Sequence, residues 1–259
     1  MANSEIIGAG QDTARRAPKD IRVLVACEES QTVCIEFRKI GFDAYSCDIQ
    51  PCSGGHPEWH IQGDVAPVLA QHWDLIVAHP PCTFLSNAGA CRLYPTKGVL
   101  NQDRYEKGLK AKEFFMLFYN HQCKHVAIEN PVSSTVFNMP VHSQEIQPYH
   151  FGHPYTKKTR LWLNGLPPLI YTNVIDPTGP YLPAGTSRKD KSKYGAKGCA
   201  HEAKPRSVTF PGIAKAMAEQ WGAHVLCEES PAQNTMEICH TAPNSASTQN
   251  AQLALELDL

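Results

Sequence analysis

The chain has 259 residues, of which 42% are hydrophobic and 19% charged, and its net charge is -1. That balance is ordinary for a globular protein and too apolar for a wholly disordered one. It excludes a molecule that is basic all over, so any nucleic-acid surface has to be local. No apolar run approaches the roughly 20 residues needed to span a bilayer.

Residues 1–19 are polar and aperiodic and read as a disordered N-terminus. No charged-then-apolar leader opens the chain, and the ten cysteines include several inside apolar runs. Both features point to a cytoplasmic protein with reduced thiols and no membrane association. IRVLVAC (21–27) is a β-branched run of the kind that forms a buried parallel strand. Val33, Phe37 and Ile40 then follow at helical spacing within 31–40, and Gly41 stops that helix. FDAYSCDI (42–49) is a second strand, 65–72 a short helix, and WDLIVAHP (73–80) a third strand. Leu109, Phe114, Phe115 and Phe118 recur near period 3.6 in a helix over 102–120. HVAIENP (125–131) and TRLWL (159–163) are further strands, the latter in an antiparallel position. Pro211 opens a last helix that Gly222 is expected to close. The tail from 228 is polar again, apart from LALELDL at its end, which could serve as a docking peptide.

Strand alternating with helix predicts an α/β fold, a mostly parallel sheet with helices on both faces. Such sheets bind ligands at the carboxyl ends of their strands. Those ends carry CEESQ (27–31), Asp48, Asp64, HPPCTFLSNAG (79–89) and ENP (129–131). Asp48 either caps a turn or accepts hydrogen bonds from a ribose. Asp64 either caps the helix over 65–72 or meets an adenine amino group. A carboxylate at Glu129, inside an apolar strand, is costly unless it is paired or serves a site. Pro80 and Pro81 stiffen the turn that projects Cys82. A thiol on such a turn, beside an acid from the neighbouring strand end, is a plausible pair for covalent catalysis. Cys47, Cys52, His56 and His60 have the spacing C-x4-C-x3-H-x3-H. Those pairs stand closer together than in a zinc finger, and Cys47 lies in a strand, so no metal is expected.

These residues resemble the cytosine-5 DNA methyltransferase family. PPC (80–82) and ENP (129–131) match its nucleophile loop and its Glu-Asn-Val loop, in family order, with Ser86 and Asn87 continuing the first. FGHPYTKKTRLWL (151–163) matches Gly-x-Pro-Gln-x-Arg-x-Arg at Gly152, Pro154, Lys158 and Arg160 if one inserted residue is allowed. The likeness runs from about 21 to 222 and is closest to the short versions that phages and prophages carry.

The resemblance implies a Rossmann-like class I methyltransferase. Its catalytic domain would cover 20–165, a short basic target-recognition segment 166–209, a completing helix 210–227 and a disordered tail 228–259. S-adenosylmethionine would be held by Glu28, Glu29, Ser30, Gln31, Asp48, Ile49, Asp64, Val65 and Pro80. Ser30 and Gln31 would stand in for the family's glycine-rich first motif. Cys82 would add to C6 of cytosine. Glu129, at least partly protonated in a semi-buried site, would serve N3. Arg160 would hold O2 or a nearby phosphate, and Lys158 with Arg160 would favour the Cys82 thiolate. The partner would be DNA, a duplex with the target base flipped out. It would be met by Ser86, Asn87, Arg188, Lys189, Lys191, Lys193, Lys197 and Arg206 on a monomeric protein. Two alternatives stay open. One is the same chemistry on RNA or on a free pyrimidine nucleotide. The other is a non-catalytic cofactor- and DNA-binding module, which the absence of glycine from ACEESQT favours.

Overall fold

A computed structural model describes residues 16–181 and 208–228. Of the disorder expected at 1–19 and 228–259, residues 1–15 and 229–259 lie outside the described residues, as do Arg188, Lys189, Lys191, Lys193, Lys197 and Arg206. Residues 16–19 and Glu228 are instead ordered: Arg16 pairs with Asp74, Pro18–Asp20 form a 3-10 turn and Glu228 ends the last helix.

The apolar runs found in the sequence form the centre of a seven-stranded sheet. Its strands are β1 (Arg22–Ala26), β2 (Asp43–Asp48), β3 (His60–Gln62), β4 (Leu75–Ala78), β5 (His125–Pro131), β6 (Gln144–Ile146) and β8 (Thr159–Asn164). They lie in the order β3-β2-β1-β4-β5-β8-β6. The first five are parallel, while β8 runs antiparallel to both β5 and β6. A small second sheet pairs β7 (Tyr155–Thr156) with β9 (Gly179–Pro180).

Because side chains alternate across a strand, each apolar run feeds two cores. Val23, Val25, Val77, Ala127 and Leu161 face α1 (Thr32–Lys39) and the C-terminal helical run. Leu24, Ala26, Ile76, Ile128 and Trp162 face α2 (Val65–Leu69) and, beyond the short α3 (Ala90–Leu93), the long α4 (Gln102–Tyr119). Helices on both faces of a mostly parallel sheet make the Rossmann-like α/β architecture that the sequence predicts. No helix among the described residues is long and apolar enough to cross a membrane.

The stop signal at Gly41 holds, with φ at +91°. The one expected at Gly222 does not. The C-terminal run passes from α5 (Pro211–Ala216) through a π-helical turn, Met217–Trp221, into α6 (Gly222–Glu228). Gly222 is helical, and the reason for a glycine is packing. A Cβ there would come within 2.8 Å of the Phe42 ring. The short strands β3 and β6 carry no alternation long enough to be read from sequence; pairing with β2 and β8 creates them.

Candidate active site

The nucleophile loop and the acidic loop leave adjacent parallel strands, β4 and β5, at their carboxyl ends. Backbone and side-chain hydrogen bonds tie them together. Asn130 Nδ2 donates to the Pro80 carbonyl (2.9 Å). Asn87 N donates to Val132 O and Ser134 N to Leu85 O, each at 2.8 Å, and Ser86 forms an antiparallel bridge with Ser133. The Cys82 carbonyl closes its own turn by accepting from Leu85 N and Ser86 N, at 3.1 and 2.8 Å. From α4, Arg104 donates to the Thr83 carbonyl (2.8 Å) and lies over the Phe84 ring. Cys82, half-buried, is therefore presented on a loop braced from two sides. Asn130 and Arg104 are bracing residues that the sequence did not single out. Ser86 Oγ accepts from Ala88 N within the same turn (3.2 Å), and Asn87 is exposed.

Glu129 has a partner that the sequence reading missed. His79 Nδ1 stands 3.1 Å from Glu129 Oε2, with the two side chains only 8% and 12% exposed. Burial pushes the Glu129 carboxyl up, but the His79 hydrogen bond and the charges of Lys157 and His79 outweigh it and leave the group below its ordinary range. Burial pulls His79 down, and the hydrogen bond and charge of Glu129, followed by the charge of Glu28, more than reverse that. The His79 contact favours the ionised form of Glu129 in the free protein, where the sequence reading expected at least partial protonation during the reaction. His79 Nε2 is buried with no partner among the described residues, as are Asn130 Oδ1 and Ser133 Oγ.

The basic residues are also rearranged. The register of β5 and β8 sets Arg160 opposite Asn130 and Leu161 opposite Glu129. Arg160 and Glu129 therefore leave the sheet on opposite faces. Lys158 and Arg160 converge on Glu145, at 3.0 and 3.6 Å, and Lys158 is 63% exposed. The cation whose charge acts on both Glu129 and His79 is Lys157. Lys157 occupies the first arginine position of Gly-x-Pro-Gln-x-Arg-x-Arg when the motif is laid on Gly152 and Pro154 without an insertion. The ungapped reading finds Lys157 and places Thr159 at the second arginine position, whereas the gapped one uses Lys158 and Arg160.

At the ends of β1, β2 and β3, the loop ACEESQT forms left-handed turns without glycine. Cys27 and Gln31 have φ of +59° and +57°, each at a cost of about 1–2 kcal/mol for a residue with a Cβ. What holds the loop is Glu28, whose carboxylate oxygens accept from Val33 N (2.7 Å) and Cys34 N (3.2 Å) at the start of α1. Burial raises its carboxyl, against the pull of His79 and of these two amides. Gln31 is fully buried. Its Nε2 donates to the His56 carbonyl (2.8 Å) and Ser46 Oγ (3.2 Å), and its Oε1 accepts from His56 N (3.0 Å). The side chains of Glu28 and Gln31 are thus spent inside the protein, which corrects their assignment to the cofactor. Ser30 Oγ likewise accepts from Thr32 Oγ1 at 3.1 Å. Glu28→Ala is expected to lower stability by about 1–2 kcal/mol, the worth of a helix cap. Urea unfolding should show an earlier midpoint with an unchanged slope.

Asp48 and Asp64 both take up their local readings, a turn and a helix cap. Asp48 Oδ1 accepts from Gln50 N (2.9 Å), and Asp64 Oδ1 caps α2 through Ala66 N (3.0 Å). Neither Oδ2 has a protein hydrogen bond among the described residues. The charges of Asp48 and Asp64 both bear on Cys27, whose thiol burial and these carboxylates push far up, so the three lie near one another at the strand ends. Ile49 projects beside them, 75% exposed, while Val65 is buried beneath α2 and Pro80 is buried in its loop. The spaced Cys47, Cys52, His56 and His60 do not converge. His60 Nδ1 meets Ser46 Oγ, His56 Nδ1 meets Glu58 and Cys47 points to the Gly63 carbonyl.

No family model and no curated relative matches the chain. Among solved structures it is similar to one titled as the Entamoeba histolytica methyltransferase EhMeth, at 9% identity and a TM-score of 0.39. The match covers 81% of this chain and 97% of that one.

Proposed function

We propose that the chain transfers a methyl group from S-adenosylmethionine to C5 of cytosine in DNA through a covalent adduct with Cys82. The observation that carries this reading is the bracing of the Cys82 loop against the Glu129 loop at adjacent strand ends. It places the Cys82 turn and the Glu129–His79 pair on neighbouring strand ends, the arrangement that addition to a pyrimidine ring calls for.

The cofactor would lie at the strand ends beside that loop. Asp48 and Asp64 would hold it through the Oδ2 atoms left over from their turns, and Ile49 offers an apolar face to a flat ring. Its adenosyl sulfonium supplies an electrophilic methyl group. The chain's own work concerns the base. The Cys82 thiolate adds to C6, and a proton is delivered to N3, so that the ring electrons accumulate at C5. That proton would come from His79 Nδ1 by way of Glu129, the carboxylate hydrogen-bonded to it. After methylation a water acting as base takes the C5 proton, the C6–S bond breaks to release the Cys82 thiolate, and N3 returns its proton to Glu129. Lys157 offsets the negative charge that develops on the base.

Lys157→Ala is expected to cost about tenfold or more in kcat, as loss of one preorganised charge does. Lys158→Ala should leave it within about twofold, since an exposed ion pair contributes little. Steady-state kinetics on the two variants separates the ungapped from the gapped motif. The function itself is tested by incubating the protein with tritium-labelled S-adenosylmethionine and, separately, duplex DNA, transfer RNA and dCMP. Label recovered as 5-methylcytosine from DNA is the expected result. Label only in RNA or the nucleotide overturns the substrate, and no label in any arm overturns methyl transfer.

A further inference from the structure

A second constellation lies at the other end of β5. His125 opens that strand, fully buried, while Glu129 closes the working end about 13 Å away at strand spacing. His125 Nδ1 is 3.0 Å from the Asp74 carbonyl, and its Nε2 is 3.1 Å from Glu228 Oε2. From α6, His224 Nε2 is 3.2 Å from Glu228 Oε1 and 3.1 Å from the Gly165 carbonyl. Ligand atoms of His125, His224 and Glu228 all lie within 4.8 Å of one another, the one such group among the described residues.

We propose that His125 Nε2, His224 Nε2 and the Glu228 carboxylate form a structural site for a divalent transition metal of the zinc class. Four arguments converge. A neutral imidazole has a single N–H. If His125 spends it on the Asp74 carbonyl, its Nε2 lone pair faces a carboxylate oxygen, and a cation between them satisfies both. A backbone carbonyl on Nδ1 is also how a metal-bound histidine is usually held in the right tautomer. The distances suit zinc as well, since two ligands about 2.0 Å from a tetrahedral ion stand about 3.3 Å apart. Finally, the turn after β8 is built to reach this corner. Gly165 has φ +62°, and a Cβ there would fall 2.1 Å from the Lys124 carbonyl. The ion would replace the His224–Gly165 hydrogen bond, and Lys124 Nζ, 2.9 Å from Glu228 Oε2, is exposed enough to swing away. Two nitrogens and one oxygen are a borderline donor set that favours zinc over calcium or magnesium. The bound ion would clamp α6, the start of β5 and the turn at Gly165.

The test uses the full chain, loaded with zinc, desalted and assayed for metal by mass spectrometry. About one zinc per chain is expected, together with a rise of several degrees in Tm over the chelator-treated protein. His224→Ala and Glu228→Gln, both at partly exposed positions, should lose the metal and the shift. Cys52→Ser should keep both. Cobalt substitution should give visible ligand-field bands without a thiolate charge-transfer band. Zinc absent from the loaded wild type, zinc retained in the His224 and Glu228 variants, or a thiolate band would each overturn the site. None of these readouts depends on methyl transfer.

Discussion

Cys82→Ser is expected to reduce methyl transfer by on the order of 10³- to 10⁵-fold, the scale seen when a covalent nucleophile is removed. A serine hydroxyl is almost wholly protonated at neutral pH and does not add to C6 of a pyrimidine. The fold should hardly notice. Cys82 is half-buried, and its turn is fixed by its carbonyl, which accepts from Leu85 N and Ser86 N and is untouched by the change. Tm should shift by no more than about 2 °C, within the range of a near-isosteric substitution outside the core. Calorimetric binding of S-adenosylmethionine should also persist, because Asp48, Ile49 and Asp64 belong to other strand ends. The combination of lost turnover with retained binding is specific to a nucleophile. Unchanged methylation would remove the covalent mechanism, and lost binding would move Cys82 from chemistry to architecture.

The parts of this molecule legible in its sequence are those whose cause is local. β1, β4 and β5 are apolar, mostly β-branched runs because each is buried on both faces. Asp64 and Gly41 announce a helix start and a helix stop through their own side chain and backbone. What escaped was set by distant neighbours. Gln31 looked available to a ligand until the 50–60 loop folded over it and took its whole amide. Gly222 looked like a terminator, and only the Phe42 ring shows why it lacks a Cβ. His79 is a lone histidine before two prolines, with no pattern to mark it. Its meaning appears when β4 and β5 align and bring Glu129 to its Nδ1. Lys157 was visible in the sequence but passed over by the gapped alignment, and only its charge beside Glu129 and His79 draws attention to it.

Glu129→Ala is expected to abolish turnover and to destabilise the protein, for two separable reasons. The variant has no group at the end of β5 to pass a proton to N3, a loss worth about 10²- to 10⁴-fold in rate. It also strands the buried His79, and removing one partner of a buried ion pair costs about 3–5 kcal/mol. The double variant Glu129→Gln with His79→Gln removes both charges, so it should recover much of the stability and none of the activity. Denaturant unfolding and tritium transfer on the three proteins distinguish the two effects. The wild-type pair also predicts the shape of stability against pH. Glu129 is lowered in the folded state, so its contribution is present above the unfolded carboxylate pKa and is lost as pH falls through the folded value. His79 is raised, so its contribution is complete below the unfolded imidazole pKa and is lost as pH rises through the folded value. The pair therefore stabilises most between about pH 4.3 and 6.5, the ordinary values of the two groups. Turnover should fall on the alkaline side as His79 loses the proton that Glu129 relays. His79→Gln should flatten that alkaline limb while keeping S-adenosylmethionine binding. An alkaline limb that survives in His79→Gln would assign the proton to another donor.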